Sequence, residues 1–395
     1  MTPRFDTPET RLQIALAKVR LTEPERAETA ALLRATTDWN TALETAQRNF
    51  SLPNMRMHLR DIAPDLISAE MQARLDQTAN RAAMKNLMLV SAQRNFLQSC
   101  LQPLEVPGLF FKGINLVARY YPDLGLRPCR DIDILVPRAA LRPVVLQALE
   151  AGYRLFAPLK DVQFLTERDD IEAALYYRRD AMLLSPEGVA IDLQVKLDKF
   201  SGIFDPEDAF ARAEEMELGG ARFLTMPAPY LFNYICHHHA RHVWSHLHWL
   251  SDLDAMMSTE GFDPDAALLL ADRLGQRGTV EAALELQRLM SPLASWEPRD
   301  DTWRGLKFLE LALRNLGGDL PLEKKVAFEM IGGEFMYPWQ ARPDLIRKAR
   351  RGQWRDVLRP TLKQYVDTPL PRGLRWLYVI PRLIDVIRKT RERRA

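Results

Sequence analysis

The alternation of apolar and polar positions changes character twice along the chain. In residues 8–100 apolar side chains recur at three- and four-residue steps. Leu12, Ile14, Leu16, Val19 and Leu21 form one such set, Ala42, Leu43 and Ala46 a second, and Met84, Leu87, Met88 and Val90 a third. That period predicts helices, with breaks near Pro53 and Pro64. From about residue 103 the runs shorten. Pro107-Gly108 closes the helical stretch, and residues 109–111 read as a strand followed by a Lys112-Gly113 turn and a helix over 114–121. A strand is predicted over 131–136 and a helix over 141–152, stopped by Gly152. Residues 153–156, 173–178 and 181–185 read as further strands, with a turn at 185–188. Residues 190–197 then alternate strictly: Val189, Ile191, Leu193, Val195 and Leu197 take one face, and Asp192, Gln194 and Lys196 the other. From 205 onward the pattern is helical again. The expectation is an α+β protein with a small mixed α/β core, residues 103–200. It lies between an N-terminal helical region (1–102) and a C-terminal one (201–340), followed by a tail (341–395).

Composition narrows this reading. At 395 residues the chain is long for one core, so two or three lobes are expected. Hydrophobic residues make up 47% and charged residues 27%, as in ordinary globular proteins. No run of about 18 apolar residues suggests a membrane span. The first residues carry no apolar segment of the secretory kind. Three scattered cysteines, Cys100, Cys129 and Cys236, fit a reducing compartment, and a cytoplasmic location is expected. Net charge is only +2, but residues 341–395 hold 16 Lys/Arg against 5 Asp/Glu. The tail is therefore strongly basic and the rest of the chain acidic.

Candidate chemistry starts at Arg127-Pro-Cys-Arg-Asp-Ile-Asp133. On a strand, residues i and i+2 share a face, so Asp131 and Asp133 point together while Ile132 and Ile134 point into the core. Two neighbouring carboxylates repel and are relieved by a cation between them. Hard oxygen ligands favour Mg²⁺ or Mn²⁺. Asp192, on the polar face of its strand, is a third candidate ligand, and three carboxylates can hold the metal pair of a phosphoryl transfer. Lys112 and Gly113 make a strand–turn–helix junction able to meet phosphate oxygens, and Arg127 and Arg130 are further candidates for a triphosphate. There is no GxxxxGK[ST] loop. A bare Asp-x-Asp also occurs as an ordinary pair of exposed strand residues.

The stretch from Phe110 to Pro137 resembles the bacterial nucleotidyltransferases of the polymerase-β-type superfamily. The resemblance rests on Lys112-Gly113, on Tyr121-Pro122 at the end of the following helix, and on Arg127-Pro-x-x-Asp131-x-Asp133. It extends from about Thr37-Asp38-Trp39 to the C-terminal helices. The branch also carries an Asp-x-His strand; here Asp192 matches and Gln194 stands in place of the histidine. The resemblance implies a polymerase-β-type core and transfer of a nucleoside monophosphate from an NTP, with ATP the expected donor, Mg²⁺ (or Mn²⁺) the expected cofactor and pyrophosphate released. Asp131, Asp133 and Asp192 would be the catalytic and metal residues, and Lys112, Gly113, Arg127 and Arg130 would bind the nucleotide. The acceptor is open: a metabolite, sugar, peptide or protein. Kinase-like transfer of the γ-phosphate, or a non-enzymatic partner that kept the fold, are the alternatives.

Six of the seven histidines lie in residues 236–252. On one continuous helix His238, His242 and His246 would stack at four-residue steps, a spacing open to zinc, although no fourth ligand is evident and there is no HExxH. The same branch has a His-x-x-x-His-x-Trp helix followed by Trp and Asp, here His238, His242, Trp244, Trp249 and Asp252. That implies a helix lining the cleft, while the simpler reading makes the tryptophans core. The tail 373–395 mixes Trp376, Leu377, Val379, Ile380, Leu383, Ile384 and Ile387 with arginines. The expected arrangement is a terminal helix docked by its apolar face, with Pro381 kinking it. Weak membrane-surface contact is the alternative, and no nucleic-acid partner is expected.

Overall fold

The computed structural model describes residues 5–159, 162–178, 180–198, 203–297 and 303–316. Beyond these it describes residues 344, 347, 351–352, 354–355, 358–368 and 370–392. The chain divides into two compact units, each assembled from three separate stretches. One comprises Met1–Leu87, Ile114–Cys129 and Pro227–Arg342; the other comprises Met88–Gly113, Arg130–Met226 and Pro343–Ala395. This differs from the four consecutive segments read from sequence. The helix Ile114–Tyr120, inside the expected core, belongs to the first unit.

The described part of the first unit is helical, and local chemistry sets its helix starts. Thr7 caps Pro8–Ala17 and Thr22 caps Glu23–Ala35, each with a reciprocal capping box and a proline in the first turn. Asp263 caps Pro264–Leu274, which ends at Gly275 with φ +72°. Leu12, Leu16, Leu33, Leu43, Leu52, Met55 and Leu59 form one fully buried cluster between the N-terminal helices.

The second unit holds an eight-stranded mixed sheet. Its strands are β1 (Leu109–Phe110), β2 (Asp131–Leu135), β3 (Arg154–Leu159), β4 (Val162–Leu165), β5 (Asp180–Leu184), β6 (Ala190–Gln194), β7 (Glu214–Leu218) and β8 (Ala221–Thr225). Their order is β4-β3-β5-β6-β2-β1-β8-β7. The β2–β6 and β1–β8 pairs are parallel and the others antiparallel. Ile132, Ile134, Ile191, Leu193, Ala181 and Leu183 bury one face of the central strands.

Three sequence expectations are corrected. Residues 173–178 are not a strand: Arg168–Tyr177 is a helix that opens with Asp169 and Asp170 and buries Ile171, Ala173 and Ala174. Acidic residues in a first turn suit the helix dipole. The chain past 205 is not wholly helical, because β7 and β8 extend the sheet as a hairpin. Its two-residue turn, Gly219-Gly220, has φ +57° and +74°, a conformation open to glycine at little cost and matched to strand twist. The histidine run is not one helix: Ala228–Arg241 ends before a turn, and Leu247–Met257 follows. No described helix is long and apolar enough to cross a membrane.

Candidate active site

Strand register brings the sequence-predicted carboxylates together. β2 and β6 run parallel with Asp133 opposite Asp192, Asp131 opposite Ala190 and Leu135 opposite Gln194. Paired residues in a parallel ladder point to the same face and sit about 4.8 Å apart. Ile132, Ile134, Ile191 and Leu193 fill the core face with at most 1% exposure. Asp133 and Asp192 are therefore side by side on the opposite face. Asp133 is buried, and Asp131 and Asp192 are half-buried.

Two donors hold this pair. Lys112 Nζ lies 2.8 Å from Asp133 Oδ1. Gln194 Nε2 donates to Asp133 Oδ1 at 2.9 Å and to Asp192 Oδ2 at 2.7 Å, so one amide group bridges both carboxylates. Burial, and then the charge of Asp133, push the Asp192 carboxyl up to about 6, against the Gln194 hydrogen bond and the Lys112 charge. The sequence pattern, by i+2 spacing on a strictly alternating strand, puts Gln194 on the polar face with Asp192 but assigns it no role.

Gly113 follows Lys112 with φ +56°, and a Cβ there would lie 3.1 Å from the carbonyl oxygen of Asp131. The close approach that requires glycine is thus to the backbone of β2. Arg130 is exposed one residue before β2.

Arg127 is placed otherwise. It belongs to the first unit, is 8% exposed, and grips Asp252 through Nε–Oδ1 at 2.5 Å and Nη2–Oδ2 at 2.8 Å. The Tyr121 hydroxyl donates to Asp252 Oδ1 at 2.7 Å, and His239 Nε2 lies 3.2 Å from Oδ2. Burial alone would raise the Asp252 carboxyl. The Arg127 charge and the hydrogen bonds from His239 and Arg127 outweigh it and hold the group well below the usual carboxylate range. This buried ion pair replaces the expected contact of Arg127 with a triphosphate.

The cleft-lining expectation for the histidine segment also changes. Asp252 has 0% exposure and is the anchor of Arg127. Trp244 has 0% exposure and packs with its ring centroid 5.9 Å from that of Phe308, so it is core. Val243 and Trp244 both take φ +52° where the chain turns between the two helices, so the four-residue stacking ends before His246. His238 and His242 are half-buried, with ring centroids 4.9 Å apart.

Among the described residues no three carboxylate, imidazole or thiol groups form a ready-made metal cage, the histidine segment included. The chemistry of the β2–β6 face nonetheless suits a hard divalent cation. It offers carboxylate oxygens in adjacent register, with repulsion that a cation relieves.

Residues 35–292 match the family model described as an uncharacterised nucleotidyltransferase. No curated protein matches the chain.

Proposed function

The chain belongs to this uncharacterised nucleotidyltransferase family, and on that premise we propose that it transfers a nucleoside monophosphate from an NTP to an acceptor hydroxyl. The observation that carries the reading is the in-register pairing of Asp133 with Asp192 on parallel strands, with Lys112 against Asp133. Asp131 and Asp133 would hold Mg²⁺ or Mn²⁺, and Asp192 would complete the set. The bound ion would neutralise triphosphate charge. Lys112 would turn from Asp133 toward the triphosphate, and Arg130 would add charge at the mouth of β2. The acceptor oxygen attacks the α-phosphorus, the bond to the β-phosphate oxygen breaks, and pyrophosphate leaves. Asp192, half-buried and side by side with Asp133 on the same face, is the base proposed to take the acceptor proton. Rate enhancement would come from positioning and charge neutralisation. ATP is the proposed donor, the acceptor is a metabolite, sugar, peptide or protein, and the reaction is assigned to the cytoplasm.

The Lys112–Asp133 ion pair also favours a second reading, in which the ammonium keeps the place of a metal and the protein is a non-enzymatic partner. Calorimetric titration with Mg²⁺-ATP separates the two. The enzymatic reading expects Mg²⁺-dependent binding that Asp133→Asn weakens at least about tenfold while the variant keeps the wild-type circular dichroism spectrum. Equal binding by wild type and variant, or none up to millimolar nucleotide, would sink it.

A further inference from the structure

The C-terminal helix is built the reverse of a docked helix. Arg372–Tyr378 form a 3₁₀ segment and Val379–Glu392 an α-helix. Pro381 sits in the first turn of the α-helix, where a missing N–H costs nothing, so it does not kink a continuous helix. The face toward the protein is the one carrying Tyr378 and Asp385. Tyr378 has 0% exposure; its hydroxyl accepts from Leu370 N at 2.6 Å and donates to Thr368 O at 2.8 Å. Asp385 accepts from Gln364 Nε2 at 2.8 Å and lies 3.9 Å from Lys363 Nζ. The expected apolar docking face points outward instead. Ile380 is 55% exposed, Ile384 61% and Ile387 53%, with Leu383 beside them and Trp376 at the near end. Positions 380, 384 and 387 follow the four- and three-residue steps of one helix stripe.

We propose that this stripe is a docking surface for an anionic lipid bilayer. Charge selects the occupant. Residues 372–395 carry eight Arg/Lys and two Asp/Glu, and one of those two acids, Asp385, is turned toward the protein. A second copy laid on the same stripe would bring two strongly basic helices together. An anionic headgroup layer accepts the isoleucines and attracts the basic segment as a whole. Trp376 has the character favoured at the headgroup boundary. The helix would lie in the interface, since its 14 residues span only about 21 Å. The inference is independent of the proposed activity and would set where the protein works.

The test is co-sedimentation of the full chain with vesicles of neutral phosphatidylcholine and with vesicles containing roughly one-third phosphatidylglycerol. The expected result is at least about tenfold tighter binding to the anionic vesicles, weakened by salt. The double variant Ile380→Glu/Ile384→Glu should lose that binding at unchanged melting temperature, because both side chains are more than half exposed. The proposal is overturned if the wild type binds neither vesicle or both equally, or if the double variant binds as well as wild type. A concentration-dependent dimer in light scattering that the variant abolishes, with no vesicle binding, would assign the stripe to a second copy.

Discussion

Arg127→Met is the sharpest test of the placement of Arg127. The substitution keeps a long apolar stem and removes every donor. Asp252, with 0% exposure, would lose both of its contacts to the guanidinium, at 2.5 and 2.8 Å. Tyr121 and His239 alone would remain. Stripping one partner from a buried ion pair strands the other charge and costs about 3–5 kcal/mol. In Arg127→Met/Asp252→Leu no charge is stranded, so much of that loss should return. Urea unfolding followed by circular dichroism measures both, each transition fitted separately because the chain has two units. The pH dependence has a definite sign. Asp252 titrates in the folded wild type below its unfolded value of about 3.9. Its contribution is therefore full above that pH and is lost as pH falls through the folded value. The stability gap between wild type and Arg127→Met should narrow on acidification. A loss under about 0.5 kcal/mol, or a double variant no better than the single one, would refute the argument. Loss of nucleotide affinity with unchanged stability would restore Arg127 to the phosphates.

Asp192→Asn should lower turnover by orders of magnitude while changing Mg²⁺-ATP affinity only modestly, as separate rate and calorimetric measurements would show. Without metal the same variant should melt slightly higher, because it replaces a carboxyl that burial, and then repulsion by Asp133, make costly to ionise. Gly113→Ala should cost about 1–2 kcal/mol in urea unfolding. It adds a left-handed penalty at φ +56° to a Cβ contact of 3.1 Å with Asp131 O.

The face on which Asp192 sits was legible, because strict alternation over 189–197 depends only on a local period. Its partner was not: pairing of β6 with β2, and the register that sets Asp133 against Asp192, are long-range facts. The same limit explains Arg127. Its nearness in sequence to Asp131 suggested phosphate, whereas the residue it binds lies 125 positions away. The β7–β8 hairpin was readable in principle from Gly219-Gly220 between two alternating runs, but Glu214, Glu215 and Glu217 make β7 look polar rather than strand-like. The break after Arg241 had no local signal, since Val243 and Trp244 rarely adopt φ +52°. Burial of Trp244 is a tertiary demand that composition does not announce.

The central claim, that the Asp133–Asp192 pair supports nucleotidyl transfer, is tested most directly by following label from [α-³²P]ATP and [γ-³²P]ATP. Both would be incubated with Mg²⁺, a cell extract as acceptor source, and either the wild type or Asp133→Asn. The account predicts that α-label joins an acceptor while γ-label appears as pyrophosphate, and that Asp133→Asn does neither. Transfer of γ-label to the acceptor, or α-label transfer undiminished in the variant, would contradict it.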